Sequence, residues 1–236
     1  MSGGDTRWLL IGNSRWHWAE QTPTGRRYWS EPPAAELVQR PHHWAAVGPV
    51  PAGLDPATRI ALAQIPVVSA PAWLGVDRAL AGHEAWSRAA APVLVADAGT
   101  ALSLTWLDAA GRFCGGRLMA GAALQLRALH QGTVALPQLA EAALPIRDGN
   151  VWPAATEAAM VVGVLEGLAG ALQRAAAQLQ QQQPGLQLWL TGGDAQVLLP
   201  LLRQPNQGTT QPWQWAPSLC LDGLARVAAL SSGPNP

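Results

Sequence analysis

The chain has 236 residues, a formal net charge of zero, 49% apolar residues and no lysine among its 15 basic residues. That length holds one large domain or two of ordinary size, and the apolar content supports a real core. Neutral charge without a basic stripe argues against a nucleic-acid binder, and the lack of lysine excludes a Walker-type P-loop lysine or a Schiff base.

Strands are predicted at Arg7 to Asn13, Arg15 to Gln21 and Arg26 to Ser30, joined by turns at Gly12-Asn13 and Pro23 to Gly25. A helix is expected at Ala34 to Arg40 and a strand at Trp44 to Val47. A helix-like stretch follows at Ala57 to Gln64, a short strand at Pro66 to Ser69 and a helix at Val76 to Ala89.

The pattern then begins again. Strands read at Pro92 to Ala96, Ala101 to Leu107 and Arg112 to Met119, followed by a helix at Ala122 to Gln131. Each half runs strand, glycine-containing loop, strand, turn, strand, helix. Aligning Gly12 on Gly99 sets Leu10 against Asp97, so the second half carries a carboxylate where the first has none.

A long helix is predicted from Ala154 to Gln183, about 45 Å at 1.5 Å per residue. A strand at Gln187 to Leu190, a helix at Gln196 to Leu202, a polar loop at Gly208 to Gln214 and a helix at Asp222 to Leu230 complete the chain. Glu157, Glu166 and Arg174 interrupt the most apolar stretch, so no membrane span is expected. The apolar run Trp8 to Ile11 is too short for a secretory h-region.

Cys114 and Cys220 lie in apolar strings outside any CxxC pair, and read as buried free thiols of a reducing cytosol. The five His are scattered and predict no zinc site. The 12 Trp fit core and surface volume better than a binding platform.

Three glycine-bearing loops each follow a strand: Ile11-Gly12-Asn13-Ser14, Asp97-Ala98-Gly99-Thr100 and Thr191-Gly192-Gly193-Asp194-Ala195. Backbone N–H groups at such turns cradle phosphate oxygens, and Ser or Thr hydroxyls add donors. One such loop also serves any hairpin. Three, two of them at equivalent points of a repeat, form a much stronger signal for phosphate. Gly75-Val76-Asp77-Arg78 opens a predicted helix, where an Asp reads first as an ordinary cap and only second as a carboxylate able to accept a hydroxyl proton.

With these loops the chain resembles the type III pantothenate kinases of the acetate and sugar kinase, Hsp70 and actin superfamily. The resemblance spans nearly the whole chain, including Ala135-Leu136-Pro137 and Gly115-Gly116 to Gly121. Its specific part is Gly-x-Asp-Arg followed by Asp-x-Gly-Thr. It implies an α/β fold of duplicated actin-like (ribonuclease H-like) domains, at residues 1–91 and 92–236. Each would be a mixed five-stranded sheet with flanking helices, with the active-site cleft between them.

The resemblance implies ATP-dependent phosphorylation of pantothenate to 4'-phosphopantothenate, the first step of coenzyme A biosynthesis. Asp77 would be the catalytic base and the Arg78 fork would hold the carboxylate, with Gly75, Val76 and Thr156 also binding substrate. Gly12, Asn13, Ser14, Thr100, Gly192 and Gly193 would bind ATP. Asp97 would bind metal, with Mg2+ and a monovalent cation, K+ or NH4+, as cofactors. A cytoplasmic homodimer is implied, with pantothenate rather than nucleic acid or membrane as its partner.

The family pattern is broken twice. Leu10 stands where the family has an Asp that orients magnesium, and Asp5, five residues earlier and roughly 16 Å away along a strand, cannot replace it. Magnesium held by phosphates, waters and Asp97 is the expected solution. Val68 stands where a substrate-contacting Tyr is usual. A non-catalytic relative and a kinase of another small carboxylated alcohol are the alternative readings. Retention of Asp77, Arg78, Asp97 and Thr100 favours a kinase.

Overall fold

A computed structural model describes residues 6–34, 40–139, 151–203 and 211–231. The chain divides into two compact units. The first comprises Met1–Ala90, Leu107–Cys114 and Ser218–Pro236, and the second Ala91–Trp106 and Gly115–Pro217. A boundary at residue 91 thus leaves out of the first unit a hairpin tip and the C-terminal helix.

In the first unit, β1 (Arg7–Ile11), β2 (Trp16–Thr22), β3 (Gly25–Glu31) and β4 (His43–Ala46) form a mixed sheet in the order β3-β2-β1-β4. Strands β1 and β2 pair antiparallel and β4 joins β1 in parallel. Alternation sends Leu9, Ile11, Trp16, Trp18 and Trp44 to one face, where they form a buried cluster. Trp18 and Trp29, opposite each other, stack with centroids 5.8 Å apart. Core volume thus accounts for several of the tryptophans, whereas Trp73 and Trp152 are exposed.

Helices α1 (Val76–Ala89) and α5 (Leu219–Ser231) pack together and reach β4. Their approach needs Gly223, because a Cβ there would stand 2.4 Å from the Leu80 carbonyl oxygen. Asp222 of α5 accepts hydrogen bonds from Arg26 and Tyr28 of β3, Arg88 of α1 and Ser218. Glu84 of α1 pairs with Arg88 and Arg226. These bonds join sheet and helices where apolar packing alone would leave their relative rotation free.

The second unit's sheet runs β7 (Phe113–Ala120), β6 (Ala101–Leu107), β5 (Val93–Ala98), β8 (Gln187–Thr191), β9 (Trp213–Trp215). Its first four strands repeat the order of the first sheet. It has the five strands expected; the first sheet has four among the described residues. Helices α2 (Ala122–Gln131), α3 (Thr156–Gln182) and α4 (Ala195–Leu202) build its core. Along α3, Val161, Val164, Leu165, Leu168, Leu172, Ala175 and Ala176 form a buried stripe at helical spacing. By length and composition alone α3 also qualifies as a membrane span, but its stripe is part of this core.

Several local expectations are corrected. Residues 57–64 form two separate 3-10 turns, Pro56–Thr58 and Leu62–Gln64, split so that Ile60 is buried. The strand expected at Pro66 to Ser69 is a single bridge, Val68 to Arg112. The supposed loop end at Gln214 lies in β9, whose Trp-Gln-Trp buries Trp213. Cys114 is exposed and Cys220 half-buried, because Cys114 lies on the edge strand β7. The helix expected at Ala34 to Arg40 falls mostly outside the described residues, as does the start of the Gly208 loop.

Candidate active site

In the first unit the site begins where α1 begins. Gly75 is the N-cap and its carbonyl accepts the Ala79 N–H at 3.1 Å. Asp77 is therefore not the cap. It lies in the first helical turn, where a carboxylate is favoured by the helix dipole. Its Oδ1 accepts the Arg78 backbone N–H at 2.8 Å. Burial pushes the Asp77 carboxyl above its ordinary pKa, and the Arg78 N–H and guanidinium oppose that. A carboxylate at this position can accept a proton.

Arg78 is 9% exposed, and its guanidinium lies 5.9 Å from the centre of the Phe113 ring. Trp73 meets the same ring edge-on. Burial lowers the Arg78 pKa while Asp77 raises it, so each of the two steadies the other's charge. Val68 is exposed and its backbone bonds Gly111 and Phe113, so no aromatic side chain fills the position where Tyr was expected.

Gly75 and Val76 also border an open cavity of about 370 Å³. Ala46, Val47, Ile60, Ala61, Leu62, Ala72 and Leu74 supply its other apolar walls, and Arg59 its charge. The Gly12 loop lies close in this unit, because the Val47 and Gly48 N–H groups both donate to the Ile11 carbonyl, at 2.9 and 3.3 Å. Gly12 closes its own turn by donating to Arg15, leaving Asn13 and Ser14 exposed.

Sequence reasoning missed two residues here. A Cβ on Gly48 would stand 2.2 Å from the Gly12 carbonyl oxygen, so only glycine allows this approach. His17 supports the same turn: its Nε2 would lie 3.5 Å from a Cβ on Gly12, and its Nδ1 is 2.8 Å from Ser30 Oγ. Burial first, then Arg15, lowers the His17 pKa. Leu10 is buried, opposite His17 on β2 and Ala45 on β4, and adds no donor to the loop.

The second unit brings three loops together. Gly192 has φ +92°, and a Cβ there would stand 2.5 Å from the Ala98 carbonyl oxygen. A Cβ on Gly121 would stand 1.9 Å from the Gly99 oxygen. Asp194 donates its N–H to Ala98 at 2.8 Å and its carboxylate accepts the Ala122 N–H at 3.3 Å. The loops after β5, β7 and β8 are thereby locked, with Asp97 half-buried and Thr100 exposed at the surface. Asp194 and Gly121 stood in quoted motifs without a role; here they position the loop that follows Asp97 and β5. Thr156 is the first residue of α3 and is exposed.

Repeated strand orders and glycine loops at strand ends define a duplicated α/β fold of the actin-like kind. The type III pantothenate kinase family model matches residues 56–178. A type III pantothenate kinase of Synechococcus elongatus is 33% identical over 255 residues, covering 96% of this chain and 98% of the relative. Another from Alkalilimnicola ehrlichii is 41% identical over 163 residues, 66% of this chain and 58% of that one. The chain belongs to the type III pantothenate kinase family.

Solved structures show the same fold. A Campylobacter jejuni protein described as a Baf family transcriptional activator superposes with TM-score 0.64 at 19% identity, covering 97% of this chain and all of that one. A Sinorhizobium meliloti protein described as a 2-dehydro-3-deoxygalactonokinase gives 0.56 at 18% identity, covering 98% of each chain.

Proposed function

We propose that this protein transfers the γ-phosphate of ATP to the primary hydroxyl of pantothenate, giving 4'-phosphopantothenate and ADP, the first step of coenzyme A biosynthesis. The observation that carries this reading is the half-buried Asp77 carboxylate in the first turn of α1, in a chain of this family.

In this reading the acceptor hydroxyl lies against Asp77. As its oxygen attacks the γ-phosphorus, the bond to the ADP oxygen breaks and the hydroxyl proton passes to Asp77. Gly75, Val76 and Arg78 shape the acceptor side, Arg78 by keeping Asp77 ionised, and Thr156 contributes a hydroxyl to the substrate. The residues assigned to the phosphates of ATP are Gly12, Asn13, Ser14, Thr100, Gly192 and Gly193.

Mg2+ needs no all-protein cage: phosphates and waters with a single protein carboxylate can hold it. Asp97 is that carboxylate, for Mg2+ and for the monovalent cation, K+ or NH4+, because Leu10 offers none. The metal would supply charge neutralisation at the phosphates. We assign the protein to the cytoplasm, as a homodimer.

The test is incubation of purified protein with ATP, Mg2+ and pantothenate, with and without K+, and mass analysis of the product. A mass gain of one phosphate on pantothenate, dependent on K+, is expected. ATP turnover without a phosphorylated acceptor would contradict the assignment.

A further inference from the structure

The first glycine loop lacks the carboxylate that its counterpart has at Asp97, and the residue beside the gap is a histidine. Ala45, Leu10, His17 and Ser30 are register partners across β4, β1, β2 and β3, so they form one row on one face of the sheet. Leu10 fills its place in the row with a buried aliphatic side chain. His17 is half-buried, and the edge of its ring lies against the loop: a Cβ on Gly12 would stand 3.5 Å from Nε2 and 3.7 Å from Cδ2.

Ser30 holds that ring. His17 Nδ1 lies 2.8 Å from Ser30 Oγ, and Nε2 has no hydrogen-bond partner among the described residues. A hydroxyl both donates and accepts. Ser30 therefore accommodates the Nε2–H tautomer and the imidazolium alike, and in both Nε2 is a donor at the Gly12 turn.

The surroundings decide which ligand such a donor takes. Arg15 closes the loop, exposed, with its guanidinium donating to the Ser30 carbonyl at 3.2 Å. After burial, its charge is the second cause of the lowered His17 pKa. A metal ion here would meet that charge, and Mg2+ takes oxygen ligands. An anion is drawn in by the same charge and accepts from Nε2.

We propose that His17 Nε2 donates directly to the phosphate chain of the nucleotide, so that the first loop grips phosphate without a metal-orienting carboxylate at position 10. The proposal rests on the kinase reading above and adds to it a phosphate-binding residue outside the glycine loops.

The experiment measures ATP and adenosine binding by calorimetry, once with Mg2+ and once with EDTA. The proteins are the unmodified chain, His17→Asn and His17→Gln, with thermal melts to confirm folding. The two amides separate the two ends of the ring: an Asn amide reaches the place of Nδ1, a Gln amide that of Nε2. His17→Asn keeps a partner for Ser30 and is expected to bind ATP about tenfold more weakly, in EDTA as in Mg2+. Adenosine binding should not change, and His17→Gln should recover most of the loss. In 15N-labelled unmodified protein the His17 Nε2 resonance, assigned by its absence from either variant, should shift with ATP and not with adenosine. Unchanged ATP binding by His17→Asn, a loss seen only with Mg2+, or a Nε2 resonance that ATP does not move would overturn the assignment of His17. The expected binding pattern without phosphate transfer to pantothenate would overturn the kinase reading alone. No ATP binding by the unmodified protein would overturn both.

Discussion

The Asp77 carboxylate lies back across Gly75: a Cβ at residue 75 would stand 2.5 Å from Asp77 Oδ1. The missing side chain of one residue is the space occupied by the reactive group of another, two positions on.

Gly75→Ala therefore moves Asp77 rather than breaking the fold, since φ at residue 75 is −58° and suits alanine. Stability should change by about 1 kcal/mol or less. Displacing the base by a fraction of its reach should cost roughly 10²-fold in kcat. Steady-state kinetics beside a thermal melt checks this; a melt that collapses while kcat of the folded fraction holds would reject it.

The pH profile follows from the same group. Burial raises the Asp77 pKa, so the acid limb of kcat/KM should have its midpoint above the ordinary carboxylate value of about 4. Removing the nearby positive charge with Arg78→Gln should move that midpoint further up. A downward move would show that another group sets the limb.

Stability carries the opposite sign. A carboxyl with a raised folded pKa binds more protons folded than unfolded in the window between the two values. Stability thus falls as pH rises through that window, and above it the ionised Asp77 remains a cost. Asp77→Asn should melt higher than the unmodified protein at neutral pH, and the difference should vanish in acid below both pKa values.

Asp222 shows the reverse linkage. Burial pushes its carboxyl up, but hydrogen bonds from Tyr28, Ser218 and Arg88 outweigh this and hold it below its ordinary value. Its contribution is present above the unfolded pKa and is lost as pH falls through the lowered folded value. Asp222→Ala, which leaves Arg26 and Arg88 without this acceptor, should cost roughly 3 kcal/mol at neutral pH. Urea titrations at neutral and acid pH should show the gap between variant and unmodified protein closing in acid.

Gly192→Ala tests the second unit. A left-handed φ and a clash with the Ala98 backbone leave no room for a methyl group. Strain alone costs about 1–3 kcal/mol. A clear drop in melting temperature with a raised KM for ATP is expected, and wild-type values for both would remove Gly192 from the nucleotide loop.

Much of this was readable in the chain. Apolar spacing and boundary glycines marked Val76–Ala89, Ala101–Leu107 and Ala122–Gln131 as they stand. The internal repeat reappears as two sheets whose first four strands share an order. What escaped depends on distant segments meeting. Gly48 matters only because its loop crosses Gly12. The three residues of β9 are too few for a period, and Val68 holds a single bridge that no local pattern announces.

The central claim is that Asp77 takes the acceptor's proton in an ATP-dependent phosphorylation of pantothenate. The most direct test is the turnover number of Asp77→Asn beside the unmodified protein, at saturating ATP and pantothenate with K+ present. The account predicts a loss of about 10²- to 10⁴-fold in kcat with ATP affinity unchanged. Turnover by the variant within a few-fold of the unmodified protein would contradict it.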